Sequence, residues 1–101
     1  MAINSSGALH LLAKRGDVTG VKWLLEHGAN PNSTWAHWDS EVTALHLAVL
    51  AGHTQDVRAL LAAGADPKIR DSQHTSTAWG WAEFFKRAEI VRLLNDFRPS
   101  P

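Results

Sequence analysis

Apolar residues along this chain fall into short blocks with helical spacing, most of them closed by a glycine. Val57, Leu60 and Leu61 stand at i, i+3 and i+4, and Val21, Leu24 and Leu25 show the same spacing upstream. Residues so placed share one helical face and can be buried together. The pattern predicts six short helices, near 8–15, 18–27, 44–51, 55–63, 78–85 and 88–94. Gly28 and Gly64 lie just past the second and fourth helices, where a left-handed residue closes the last turn without a Cβ clash. Pro31 and Pro67, three positions on, keep the chain from resuming a helix. Gly16 and Gly52 punctuate the first and third helices in the same way, and Pro99 and Pro101 forbid helix at the end.

The blocks also recur at fixed distances. The stretch from Ala8 to Gly16 falls on Ala44 to Gly52 at an offset of 36 (44 minus 8), and the same offset carries Val21–Leu25 onto Val57–Leu61 and Gly28–Pro31 onto Gly64–Pro67. A third copy follows 34 residues later (78 minus 44), with Thr77 on Thr43 and Leu94 near the end of the second-helix block. Each unit is therefore expected to be two antiparallel helices and an extended loop. Thr43 is placed to cap the third helix, and His46, three residues on, can reach back to it as the acid of a capping box does. His46 and its counterpart His10 are accordingly expected to be structural, since neither has a second metal-spaced residue on its own helix.

This pattern resembles the ankyrin repeat. In the second unit the family signature stands as Thr43-Ala44-Leu45-His46-Leu47-Ala48, then Gly52-His53, Val57 to Leu61, and Gly64-Ala65-Asp66. The resemblance implies an all-α repeat solenoid of helix-turn-helix pairs with long hairpin-like loops, forming one domain over 1–101, with ankyrin repeats at about 7–40, 41–74 and 75–97 and the first and last acting as caps. Thr43, His46, His10, Gly28 and Gly64 would be its structural motif residues. The departures are specific. Gly7 stands where a capping Thr is usual, Gly80 replaces the motif His, and Lys86 replaces a turn glycine. The glycine usual two residues before the capping Thr is Glu41 in one loop and Thr75 in the other. The third unit also resembles the closing repeat of small stand-alone bacterial ankyrin proteins.

Composition narrows the function. Ten basic residues balance ten acidic ones, which gives no electrostatic reason to expect nucleic acid or an anionic membrane as partner. Cysteine is absent, which removes disulfides and thiolate chemistry and suits a reducing cytoplasm, the expected location. The first residues lack the basic and apolar regions of a secretory signal, and no apolar run approaches the ~18–20 residues that span a bilayer. A Gly-rich phosphate loop, a Gly-x-Ser-x-Gly elbow and a His-Glu-x-x-His pair are all missing. Stacked repeats form shallow faces instead of enclosed pockets. The resemblance thus implies a non-catalytic protein-interaction module that takes no cofactor and uses its loop tips and concave face to bind a partner protein.

Two loops are candidates for that contact. The first carries Trp35, His37, Trp38, Asp39 and Glu41; the second carries Arg70, Asp71, Gln73 and His74. Tryptophan and arginine are common binding hot spots, and stacked repeats bring equivalent loops side by side. Alternation along an extended strand would put His37, Asp39 and Glu41 on one face, near Asp71 and His74, where a divalent ion and a metal-dependent hydrolase are conceivable. Trp35 and Trp38 either project as contacts or fold onto the neighbouring repeat. Trp81, Phe84 and Phe85 crowd the last first-helix. They either seal that end of the stack, with Glu83, Lys86, Arg87, Glu89 and Arg92 turned to water, or form a surface for self-association. A monomer or weak homodimer is expected.

Overall fold

The computed structural model describes residues 7–37 and 40–97. Six helices appear where the apolar spacing predicts them: α1 (Ala8–Arg15), α2 (Val18–Glu26), α3 (Ala44–Ala51), α4 (Thr54–Ala62), α5 (Ala78–Phe84) and α6 (Ala88–Leu94). They form three antiparallel pairs. The first helices stack in the order α1, α3, α5 and the second helices in the order α2, α4, α6. The core is the seam between these two rows and holds Leu9, Val21, Leu24, Leu45, Val49, Val57, Leu60, Ile90 and Leu94. The first of the expected hairpin-like loops contains true strands. A two-stranded antiparallel hairpin, β1 (Thr34–His37) and β2 (Ser40–Thr43), occupies the first long loop.

Local chemistry sets the helix ends. Asp17 caps α2 by accepting from Gly20 N–H at 2.9 Å. Thr43 and His46 form the expected capping box on α3. Thr43 N–H donates to His46 Nδ1, so that nitrogen carries no proton, and Nε2–H donates to the carbonyl of Ser76 in the next loop at 3.0 Å. His10 repeats the outer half of this bridge, with Nε2–H on Ser33 O at 2.9 Å. Gly7 has no hydroxyl to complete the inner half, and His10 Nδ1 is buried without a partner among the described residues.

The glycines at the ends of α1 and α3 are also seats for the next unit. His53 lies over Gly16, where an added Cβ would come within 2.7 Å of its ring, and Arg87 lies over Gly52. Arg87 donates to Leu50 O at 2.6 Å and so caps the end of α3. It is therefore half-buried, not turned to water as expected, because it fills the same site that His53 fills one repeat earlier. The third unit lacks these glycines and behaves differently. Lys86 takes the left-handed conformation itself, at φ 57°, and α6 continues through Asn95 into a short 3-10 turn, Asn95–Phe97.

Candidate binding surface

The hairpin register is Thr34 with Thr43, Trp35 with Val42, Ala36 with Glu41 and His37 with Ser40. His37 and Glu41 therefore stand on different strands, and the expected alternation of His37, Asp39 and Glu41 along one strand does not form. Trp38, Asp39 and the side chain of His37 lie outside the described residues. Trp35 folds onto the first repeat. Its ring centroid is 5.7 Å from that of His10, and its indole lies so close to Gly7 that a Cβ there would clash.

The loop at 70–76 docks on the outer edge of β2. Ser72 N–H donates to Glu41 O at 3.2 Å, and Glu41 N–H donates to Ser72 Oγ at 2.7 Å. At its centre is Asp71, only 1% exposed. Its two carboxylate oxygens accept from the backbone N–H of Gln73, His74 and Ser76, from Ser40 Oγ and from Trp81 Nε1. Burial alone would raise this carboxyl, but the donors from His74, Trp81, Ser76 and Ser40 outweigh it and hold Asp71 well below the usual carboxylate range. Its chemistry is spent inside the molecule. Asp71 thus positions the loop and does not present itself to a partner, a correction to its expected role as a contact residue.

The other named residues do reach solvent. Glu41, Arg70, Gln73 and His74 are exposed. Arg70 also clasps the loop, donating from Nη1 to Thr75 O at 2.7 Å. That bond supports Thr75, which holds φ 49° where glycine would be unstrained. His74 keeps 66% of its side chain exposed, with Nδ1 3.4 Å from Asp71. Among the described residues no three His, Asp or Glu side chains converge as metal ligands.

Beside this loop is a groove of about 300 Å³ lined by His74, Ser76, Gly80, Trp81, Phe84 and Phe85. Trp81 occupies the position of Leu47 in the preceding repeat, with its ring 4.9 Å from His46. Gly80 takes the place of the motif histidine, so α5 puts no side chain into the groove at that position. Phe84 is 78% exposed, and so the aromatic cluster does not seal the end of the stack. The residue types were noticed in the sequence, but the groove was not. Gly80 beside three aromatic residues was the available signal.

Comparison with known proteins identifies the architecture. A family model described as ankyrin repeats (3 copies) matches residues 2–71. The chain belongs to the ankyrin-repeat family. Among its relatives is an IkB-like protein of African swine fever virus, 31% identical over 93 residues, covering 91% of this chain and 39% of the relative. The 2-5A-dependent ribonuclease of Mus musculus is 40% identical over 68 residues, which is 67% of this chain and 9% of the ribonuclease. A putative ankyrin repeat protein of Rickettsia bellii is 35% identical over 89 residues, covering 67% of this chain and 37% of the relative. The chain thus spans about two fifths of the viral relatives it matches, and ankyrin repeats serve generally as protein–protein interaction modules. No helix among the described residues is long and apolar enough to cross a membrane.

Proposed function

We propose that this chain is a non-catalytic module that binds a partner protein through the exposed edge of its hairpin, the loop at 70–76 and the aromatic groove beside it. The observation that carries this reading is the pairing of a loop fixed by a buried carboxylate with a groove whose Phe84 is 78% exposed. A fixed loop reduces the ordering cost of association, and an exposed aromatic supplies apolar area to bury. Exposed Glu41, Arg70, Gln73 and His74 would form the polar rim. A cytoplasmic location belongs to the same proposal.

Affinity capture with the wild-type chain and its variants tests this reading. His74→Ala and Phe84→Ala should each reduce the retained partner, whereas Trp23→Ala on the outer face of α2 should not. Retention that survives both variants, with helicity intact, rules out this surface. A second reading is weak self-association through the same groove, favoured by the exposed Phe84 and Phe85 and by the zero net charge. Sedimentation at rising concentration separates the two, because a strict monomer leaves only the heterologous partner.

A further inference from the structure

The groove on the third repeat has a polarity that narrows what can fill it. Its lining includes the indole of Trp81, whose N–H edge donates to Asp71 Oδ1 at 3.0 Å. A carboxylate bonded to that edge pushes electron density into the ring, whose face is already the negative pole of its quadrupole. Phe84 and Phe85 stand beside it as an edge-to-face pair, with centroids 5.0 Å apart and planes at 87°. Phe85 in turn meets Trp81 edge-on at 6.0 Å. Three aromatic rings therefore border one open space.

The charge around that space is one-sided at depth and balanced at the rim. Among the described residues no lysine or arginine lines the groove. The guanidinium of Arg70 is occupied on Thr75 O. Glu83 and Lys86 flank the phenylalanine pair in sequence and offset each other at the surface. The formal charge bonded to Trp81 is the buried carboxylate of Asp71; its hydrogen bonds from Ser40, Gln73, His74, Ser76 and Trp81 satisfy its lone pairs, and burial limits the solvent screening of its charge. His74, the one titratable side chain in the lining, is more than half exposed and lies next to that carboxylate.

We propose that this groove receives a lysine or arginine side chain of the partner protein, its alkyl stem against Phe84 and Phe85 and its cation over the face of Trp81, with Asp71 as the buried counter-charge. This deepens the protein-binding reading and rests on it. A long basic side chain fits because it combines an apolar stem with a charged head. A neutral apolar anchor would fill the same volume without using the electron-rich indole.

Three capped tripeptides that differ only at the central residue, arginine, citrulline or norleucine, test the proposal. Each is titrated into the isotope-labelled full chain while the Trp81 indole N–H and Gly80 amide resonances are followed. The arginine peptide should shift both and saturate, with citrulline at least roughly fivefold weaker. Phe84→Ala should weaken arginine binding severalfold while leaving the free Trp81 resonance in place. Equal binding by citrulline or norleucine overturns the proposal in favour of a neutral anchor. An arginine peptide that shifts neither resonance also overturns it, as does movement of the same resonances on dilution alone, which would put a second copy in the groove. If partner capture depends on the groove while the arginine peptide does not bind, the protein-binding reading stands and only the cation falls. If the peptide binds while capture is indifferent to His74→Ala and Phe84→Ala, the cation site stands and the wider surface falls.

Discussion

At the scale of single residues, the proposed surface depends on a side chain that is itself buried. Five donors converge on Asp71, from β2, its own loop and α5. An asparagine there would turn an amide N–H₂ toward donors that only an acceptor can satisfy. Asp71→Asn should therefore lower unfolding stability by about 2 kcal/mol, read by urea denaturation, and an unchanged midpoint would remove Asp71 as the loop's anchor. Thr75 offers the opposite case. It is β-branched and left-handed at φ 49°, so Thr75→Gly should relieve strain and raise stability by up to about 1 kcal/mol; a loss in the same assay would show that the strain is absent. The sequence exposed one of these features and hid the other. Thr75 was visible as a residue standing where the repeat has glycine. Asp71 looked like a loop carboxylate free to bind, because nothing in its neighbours shows that an indole ten residues along the chain will bond to it. An Asp followed by Gln73, His74 and Ser76 was nonetheless a turn signal of the kind that folds a carboxylate back on its own backbone.

At the scale of elements, the helices were legible because two independent signals agreed on each of them. Apolar residues at i, i+3 and i+4 gave the buried face, and Gly16, Gly28, Gly52 and Gly64 gave the stops; all four glycines adopt positive φ. The hairpin-like loop was expected from the family resemblance, but its strands were not legible in the residues themselves. Thr34–His37 and Ser40–Thr43 carry no Asn-Gly or Asp-Gly turn, and the strands pair only because Trp35 anchors on the first repeat and Val42 in the core. The imidazole bridges between elements predict a pH response. Burial lowers His10 and His46 below 6.5, with the bonds to Ser33 and Ser76 opposing it in part. As pH falls, the unfolded chain takes up these protons first. The stabilisation is complete above 6.5, the ordinary value, and is lost as pH drops from there toward the lowered values. A protonated His46 would also lose the Thr43 N–H bond to Nδ1. Thermal unfolding midpoints should fall as pH is lowered from 6.5, and a flat profile below that pH would contradict the buried, neutral bridges.

At the scale of the whole molecule, three repeats bury one continuous seam and leave their differences on the surface. The first repeat is finished by Trp35 folding over Gly7 and His10. The third is finished differently, with Trp79 N–H on Asn95 and a groove left open between α5 and its loop. That asymmetry could not be read from the repeat pattern, which assigned Trp81, Phe84 and Phe85 to one helix without saying whether they face inward or out. The proposed binding surface lies at one end of the stack and along the hairpin, away from the outer row α2, α4 and α6. Hydrogen exchange of the chain, measured free and then saturated with its captured partner, tests that claim most directly. Added protection should concentrate in 40–43 and 70–85 and leave α2 and α4 unchanged; protection confined to α2, α4 and α6 would show that the partner binds elsewhere.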